Sequence, residues 1–235
     1  MKKFLKTFFI ILLILIILVL AYMTFNGYTL YKTAIDRKSI NDKVSEIRND
    51  ENFTKLDDIS KDFKNAIVAT EDCRFYEHSG FDIKAIIRAI LYNFQMKSFE
   101  QGGSTITQQL AKNMYFITEH SYSRKFAELF VTHDLENNYS KDEILELYLN
   151  NIYYGDGYYN IREASLGYFD KEPKDLTLYE ATLLAGIPNA PSVYALTNRP
   201  DLAEERRQHV LNTMVREGYL TEKEANEVRT PPNNN

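Results

Sequence analysis

Cysteine is almost absent from the 235-residue chain, with Cys73 as its one example. A single thiol cannot form an internal disulfide, and it cannot fill the ligand shell of a cysteine-based zinc site. His78 follows nearby and would be the base that a cysteine nucleophile needs, but no known signature of such a site surrounds Cys73. We therefore interpret Cys73 as a small, partly buried side chain.

An excess of positive charge is also lacking, because the formal net charge is -5 at neutral pH. Nucleic-acid-binding domains normally present a basic face, so the composition argues against nucleic acid as a partner.

The alternating patterns typical of strands are nearly absent, and no glycine-, proline- or serine-rich linker or internal repeat follows the N-terminal block. These absences favour one mainly α-helical domain of about 200 residues.

A long apolar run is present at the N-terminus, and no charged or polar residue interrupts it from Phe8 to Ala21. A helix of about 20 such residues spans the hydrocarbon core of a bilayer. Three lysines precede the run, which predicts a cytoplasmic N-terminus and an exported remainder. A cleaved signal peptide is the alternative, but the run is long for one and Ala21-Tyr22-Met23 is a poor cleavage site. We predict an uncleaved, single-pass anchor in the cytoplasmic membrane.

The composition divides the chain into five segments. They are a cytoplasmic tail (1–7), a transmembrane anchor (8–25), a lead-in that is either a helical stalk or loosely packed (26–55), the main domain (56–230) and a polar tail (231–235). Within the main domain, capping patterns at Ser140, Thr177 and Thr221 predict helix starts. Gly186 and Gly218 predict helix ends.

The segment from Ile83 to Met96 is strongly apolar, with basic residues on one flank. From these residues alone, a buried core helix is the favoured interpretation. The alternative is a helix lying in the membrane interface, because lysine and arginine can extend to water while isoleucine, leucine and phenylalanine insert.

Three polar clusters contain the residues that can do chemistry. The first extends from Glu71 to Asp82 and follows an apolar run, which predicts Glu71 at the end of a buried helix. Partial removal of water would raise the pKa of its carboxyl group toward the range of a general base. A solvated loop with internal salt bridges explains the cluster equally well.

The second cluster extends from Gln101 to Asn113 and places two glycines, then hydroxyls, amides and a lysine, at the start of a helix. Such a helix N-terminus suits phosphate oxygens, although the spacing is not that of a Walker A loop. By composition alone, an ordinary helix capped by Ser104 or Thr105 is favoured. The third cluster consists of Arg124, Lys125 and Glu128, which are about one helical turn apart. On a helix this spacing brings the two cations and the carboxylate to one face, and an ordinary surface ion pair is the alternative interpretation.

Taken together, the three clusters resemble the peptidoglycan glycosyltransferase family (family 51), whose members occur alone or as the N-terminal half of penicillin-binding proteins. The motifs that carry the resemblance are Glu71-Asp72-x-x-Phe75-x-x-His78-x-Gly80-x-Asp82, Gly102-Gly103-Ser104-Thr105-Ile106-Thr107-Gln108-Gln109-x-x-Lys112-Asn113 and Arg124-Lys125-x-x-Glu128. The resemblance continues through Lys141-x-x-Ile144-Leu145-Glu146-x-Tyr148-Leu149-Asn150, Gly155, Tyr168-Phe169 and Leu176-Thr177-Leu178-x-Glu180-Ala181-x-Leu183-Leu184-Ala185-Gly186-Ile187-Pro188. It covers roughly Phe63 to Val228 nearly without gaps, and because five motifs occur in order, chance agreement is negligible.

The resemblance implies a lysozyme-like helical fold with a small membrane-facing jaw, and polymerisation of lipid II into glycan strands with release of undecaprenyl diphosphate. Glu71 and Glu128 would be the catalytic residues. Glu71 would deprotonate the acceptor 4-hydroxyl, which attacks C1 of the lipid-linked strand with inversion. Glu128 would line the donor diphosphate site together with Lys112, Arg124 and Lys125. Further substrate contacts are implied for Asp72, Phe75, His78, Ser104, Thr105, Gln108, Gln109 and Asn113.

The resemblance implies no obligatory cofactor, although Mg²⁺ or Mn²⁺ is expected to assist at the diphosphate, with Glu128 as the candidate ligand. The implied partners are lipid II, the lipid-linked strand, the cytoplasmic membrane and a cell-wall synthesis complex. The interface interpretation of Ile83 to Met96 becomes the favoured one, since the substrate tail lies in the bilayer. The chain end at Asn235 predicts a monofunctional transglycosylase without a transpeptidase domain.

Three positions depart from the family pattern. His120 stands where an arginine is common, which predicts weaker or pH-dependent diphosphate binding. Asn160 stands where a glycine is common, and asparagine tolerates the positive φ that such a turn would need. Arg162 reverses the charge of a common glutamate.

Two other functional hypotheses remain. One is a lysozyme-like glycan hydrolase or lytic transglycosylase, which would not need the Gly-Gly-Ser-Thr segment or the basic pair. The other is an inactive scaffold of a cell-wall complex, which only the three departures support.

Overall fold

The computed structural model describes residues 2–96 and 102–230, and no strand occurs in those ranges. The α-helices are α1 (Lys2–Arg37), α2 (Ile40–Arg48), α3 (Lys61–Glu71), α4 (Ile83–Met96), α5 (Ile106–Tyr115), α6 (Arg124–Asn138), α7 (Lys141–Leu149), α8 (Ile161–Phe169), α9 (Leu178–Gly186), α10 (Pro191–Tyr194), α11 (Pro200–Arg216) and α12 (Glu222–Glu227). The predicted mainly α-helical class is confirmed. Met1, residues 97–101 (which include Gln101 of the second cluster) and the predicted polar tail (231–235) lie outside the described residues.

Helix α1 combines an apolar half with a half that packs on the main domain. The apolar half is exposed and is long enough to cross a membrane, in agreement with the predicted anchor. The second half contacts α6, where the Tyr31 hydroxyl donates a hydrogen bond to Asp134 at 2.6 Å. Val44 and Ile47 of α2 are buried in the core. The predicted lead-in is therefore helical and attached to the domain.

Side-chain caps set the helix starts that the sequence predicts. At Ser140, Thr177 and Thr221 the hydroxyl accepts the backbone N–H three residues later, and the glutamate there accepts the cap's own N–H. These bonds satisfy backbone donors that a helix start otherwise leaves without partners. The predicted ends are also confirmed, because α9 ends at Gly186 and Gly218 adopts φ +79° just beyond α11.

Arg207 of α11 is completely buried and joins three parts of the core. Its guanidinium forms two hydrogen bonds with Glu204, at 2.9 and 2.6 Å, and donates to the carbonyls of Val228 and Arg229. It also lies over the Tyr179 ring of α9, 4.2 Å from the centroid. Arg207 therefore holds the C-terminal segment against α9 and α11.

We expect Arg207→Ala to lower the free energy of unfolding by about 3 kcal/mol, because the partly buried Glu204 carboxylate loses its countercharge and the Val228 carbonyl loses its side-chain donor. Chemical denaturation of the full chain in detergent measures this change. Arg199→Ala is the control, since it removes only the exposed ion pair with Asp201, and we expect no measurable loss. Equal stability of the two variants would contradict the structural role of Arg207.

Helix α4 occupies the predicted segment but is not a core helix. Ile83, Ile87, Leu91 and Phe94 share one helical face, and each is more than half exposed. A contiguous exposed apolar face of this kind marks a surface that contacts a membrane or another protein. The buried-core interpretation of this segment is therefore wrong.

Candidate active site

Glu71 is the last residue of α3, and two consecutive side-chain hydrogen bonds orient its carboxylate. Its Oε2 atom accepts a hydrogen bond from Gln109 Nε2 of α5 at 2.8 Å. The Gln109 Oε1 atom in turn accepts the hydroxyl of Tyr148, a buried residue of α7, at 3.0 Å. The other Glu71 oxygen, Oε1, is buried and has no hydrogen-bond partner among the described residues. One oxygen is thus held in place, and the other remains to bind a proton.

Burial raises the pKa of the Glu71 carboxyl group above its ordinary value, because loss of water penalises the charged form. The Gln109 hydrogen bond and the positive charge of Arg206 act in the opposite direction and lower this pKa. The negative charge of Asp72 adds to the rise. The net direction is upward, as the sequence predicts for a buried carboxyl group that acts as a base.

Arg206 is a feature of the site that no sequence motif reveals. It lies on α11, which packs against both α3 and α9. Its side chain crosses Gly186, where an added Cβ would lie 2.9 Å from Arg206 Cγ, and its guanidinium lies 6.0 Å from the Tyr194 ring centroid. Its Nε atom is buried without a hydrogen-bond partner in the described part of the chain. Packing alone brings this cation into the electrostatic surroundings of Glu71.

Asp72 and Thr105 connect the loop after α3 to the start of α5. The Asp72 carboxylate contacts His78 Nε2 at 2.9 Å and accepts the first backbone N–H of α5 at 3.1 Å. The Thr105 hydroxyl donates to the Gly80 carbonyl at 2.7 Å and accepts the Gln108 N–H as the helix cap. The expectation of a capped helix is therefore confirmed at Thr105. Both Asp72 and Thr105 are buried and already engaged within the protein.

The rest of this loop is also held by internal contacts. Phe75 is fully buried, and its ring centroid lies 4.5 Å from the Lys141 ammonium. Arg74 forms an ion pair with Asp82, which also accepts the Ala85 N–H at the start of α4. The internal salt-bridge interpretation thus holds for this part of the first cluster. Glu71 is different, because its hydrogen bond goes to α5 and its second oxygen has no partner among the described residues.

Helices α5 and α6 bring Lys112 and the third cluster together. Glu128 is buried, with Lys125 Nζ 2.7 Å from its Oε2 and Arg124 Nε 3.1 Å from its Oε1. Lys112 lies one turn after Gln109 on α5, about 4.5 Å along the helix axis. Burial lowers the pKa of Lys112, and the charges of Arg124 and Lys125 lower it further. Three cations face one carboxylate, so the group has an excess of positive charge that suits an anion.

Neither candidate set of metal ligands fits a resident ion. Both Glu128 oxygens face cations, so a metal ion there would have to displace Arg124 or Lys125. Asp72, His78 and Asp82 place ligand atoms within 4.8 Å of one another. However, the Asp72 carboxylate is bonded to His78 and to backbone, and Asp82 is paired with arginine. The assistance of Mg²⁺ or Mn²⁺ at the diphosphate stays a prediction.

The remaining predicted substrate contacts lie at the start and along the partly exposed face of α5. Ser104 precedes the helix, and Asn113 follows Lys112; both are partly exposed. Gln108 is partly exposed too, although its Oε1 accepts the Thr105 N–H in the capping box. The second cluster therefore keeps polar groups accessible beside Lys112.

The three departures from the family pattern have different structural settings. His120 is exposed on the loop between α5 and α6. Asn160 does not use the positive φ that its residue type tolerates, because its φ is -148° and its side chain accepts the Glu163 N–H as the cap of α8. Arg162 forms two hydrogen bonds with Glu172, at 3.0 and 2.8 Å. The reversed charge thus has an acidic partner in this chain.

Comparison with known proteins identifies the family of this chain. The sequence profile of the family described as Transglycosylase matches residues 38–215. The chain therefore belongs to the transglycosylase family, and the resemblance drawn from the motifs is confirmed.

The relatives are longer proteins. The chain is 46% identical over 169 residues to Penicillin-binding protein 1A of Neisseria flavescens, which covers 72% of this chain and 21% of that protein. It is 46% identical over 170 residues to Penicillin-binding protein 1F of Bacillus subtilis (strain 168), which covers 72% of this chain and 24% of the relative. The chain thus spans about a quarter or less of these relatives.

A solved structure also matches. The crystal structure of Penicillin-Binding Protein 1A from Haemophilus influenzae aligns with 77% of this chain and 17% of that one. The sequence identity is 25% and the TM-score is 0.45.

Proposed function

We propose that this chain is a peptidoglycan glycosyltransferase that polymerises lipid II into glycan strands and releases undecaprenyl diphosphate. The observation that carries the proposal is the arrangement on α5, where Gln109 holds Glu71 and Lys112, one turn away, joins the cationic group. The reaction needs a base at the acceptor hydroxyl and cations at the leaving diphosphate, on either side of the reacting carbon. Membership of the transglycosylase family supports the same chemistry.

In the proposed reaction, Glu71 accepts the proton of the acceptor 4-hydroxyl through Oε1, the oxygen that has no hydrogen-bond partner in residues 2–96 and 102–230. The acceptor oxygen forms a bond to C1 of the donor sugar, and the bond from C1 to the diphosphate oxygen breaks with inversion. The diphosphate leaves with the electron pair, and Lys112, Arg124 and Lys125 offset its developing charge. Glu128 holds Arg124 and Lys125 in place for this step.

The predicted substrate-binding residues fall into two groups in this proposal. Those that are partly exposed beside Lys112 contact sugars or phosphates: Ser104, Gln108 and Asn113. The others pack or form hydrogen bonds within the loop after α3, or bond to it from the start of α5, and they support the site without contacting substrate: Asp72, Phe75, His78 and Thr105. Gln109 orients the base.

The proposal places the active site on the outer surface of the cytoplasmic membrane. Helix α1 is the anchor, with its three leading lysines inside the cell. The exposed apolar face of α4 lies in the membrane interface beside it. The lipid tail of the substrate then stays in the bilayer while its diphosphate reaches the cationic group.

The direct test is incubation of the purified full chain with labelled lipid II in vesicles. We expect glycan polymer and undecaprenyl diphosphate. Cleavage of preformed glycan without polymer formation would contradict the proposal in favour of a hydrolase. Absence of product from intact lipid II, with and without added Mg²⁺ or Mn²⁺, would favour the scaffold hypothesis.

We expect Arg206→Gln to shift the acidic limb of the pH profile of kcat/KM to higher pH. The base must be ionised to act, so the rate falls as pH falls through the Glu71 pKa. Arg206 lowers this pKa, and its removal therefore lets the pKa rise further, while the plateau at high pH is retained. Arg216→Gln is the control, because this exposed arginine of α11 pairs with its neighbour Glu217. An unchanged acidic limb in Arg206→Gln would contradict the electrostatic role.

A further inference from the structure

The second half of α1, which follows the apolar segment, packs against the first turn of α6 so closely that the two backbones are in contact. Gly27 is a buried residue of α1 at this point. A Cβ added to Gly27 would lie 2.4 Å from Phe126 Cβ and 3.0 Å from both the Ala127 nitrogen and the Ser123 carbonyl oxygen. A side chain at this position must therefore push the two helices apart, since small residues are what allow helix backbones to approach so closely.

Further contacts fix the two helices along several turns. The Tyr31 hydroxyl donates to Asp134 at 2.6 Å, and the rings of Tyr28 and Tyr31 each lie 5.4 Å from the Phe130 ring. A third helix, α5, also holds this end of α1, because its Tyr115 hydroxyl donates to the Lys38 carbonyl at 3.0 Å. Since α1 is one continuous helix, this packing attaches the apolar half rigidly to α6.

The turn of α6 that touches Gly27 is also the turn that carries the cationic group. Phe126 and Ala127 lie between Lys125 and Glu128 in the chain. Gly27 in turn follows Phe25, the end of the predicted membrane span, by about 3 Å along the helix axis. The contact therefore joins the anion-binding end of α6 to α1 at the level where α1 leaves the hydrocarbon.

We propose that Gly27 is a positioning residue, whose contact with Ser123 to Ala127 sets the height of the cationic group above the bilayer. The proposal rests on the proposed function, because the group must meet a diphosphate whose lipid tail stays in the membrane. Because α1 is one unbroken helix from Lys2 to Arg37, its packing on α6 holds Arg124, Lys125 and Glu128 at one depth. A displacement of this turn would separate the cations from a membrane-bound diphosphate but not from a dissolved one.

The test compares two substrates in the full chain: lipid II embedded in vesicles, and a short-chain, water-soluble lipid II analogue. We expect Gly27→Leu to lower kcat/KM for embedded lipid II by about tenfold or more, because small misplacements of reacting groups have large effects on rate. The rate with the soluble analogue stays at the wild-type level. Thr29→Leu places the same leucine side chain on the exposed side of the same helix, and we expect it to behave as wild type.

Two kinetic outcomes would overturn the positioning role. Equal losses on both substrates would show general damage to α6, and no loss on embedded lipid II would show that the contact does not set the height. If the wild type polymerises neither substrate, the proposed function fails instead.

A depth measurement then decides the positioning role without activity. In a Cys73→Ser background, a fluorophore is attached at Tyr122→Cys, an exposed position just before α6. Lipids that carry a quencher at the headgroup level should quench it in the background protein and in Thr29→Leu, and less in Gly27→Leu. Equal quenching in all three proteins would contradict the proposal.

Discussion

Glu71→Gln will lower the rate of polymer formation on the order of 10³-fold, the size typical of a missing general base. Glutamine keeps the shape of the side chain and can still contact Gln109, but its amide cannot take the proton of the acceptor hydroxyl. The measurement is the initial rate of glycan formation from lipid II in vesicles. Glu77→Gln is the matched control, because Glu77 is an exposed acid of the same loop, and we expect full activity.

The stability of Glu71→Gln separates a lost base from a damaged fold. Burial raises the pKa of Glu71 in the folded state above its unfolded value, so the folded state binds the proton more tightly. The stability that this proton contributes is present below the unfolded pKa and is lost as pH rises through the folded pKa. The glutamine of Glu71→Gln does not ionise, so the variant does not lose this stability as the pH rises to neutral. We expect a Tm at neutral pH no lower than that of the wild type, and a lower Tm together with inactivity would contradict a purely chemical role.

Lys112→Gln will lower kcat by about 10²-fold, because one of the cations that offsets charge on the leaving diphosphate is removed. The effect falls on kcat as well as KM, since the charge develops most strongly as the bond to C1 breaks. Steady-state kinetics with lipid II in vesicles measures both constants. Lys174→Gln, at an exposed lysine, is the control and should leave both unchanged.

The pH profile adds a second readout for Lys112. Burial and the neighbouring cations lower its pKa, so it loses its charge at lower pH than an ordinary lysine. The rate should therefore fall as pH rises through this lowered pKa. Lys112→Arg, which stays charged, should extend activity to higher pH. A change in KM alone, with kcat and the basic limb unaffected, would contradict a role in the departure of the diphosphate.

Some parts of this molecule follow from signals that lie within a few residues of each other. The unbroken apolar run before Tyr22 is long enough for a membrane whatever surrounds it. The caps at Ser140, Thr177 and Thr221 form because hydroxyl and glutamate are three residues apart. The glycines Gly186 and Gly218 lie at the end of α9 and just beyond α11. Such features are predictable because their partners are neighbours in the chain.

Asn160 shows the limit of this local reasoning. Its residue type predicts tolerance of positive φ, but the positive φ angles of this turn occur at Gly155, Asp156 and Gly157 instead. Asn160 itself is extended and caps α8. Residue type alone cannot decide between a turn and a cap, because asparagine is favoured in both.

The sequence by itself determined the apolar N-terminal helix, the helical class, the limits of several helices and the position of Glu71 at the end of an apolar helix. Only the tertiary structure decided what surrounds that carboxylate: the two hydrogen bonds from Tyr148 through Gln109, and Arg206 from α11. It also decided that α1 packs on α6 at Gly27. These contacts join residues far apart in the chain, so they depend on how whole helices pack, which no local spacing encodes.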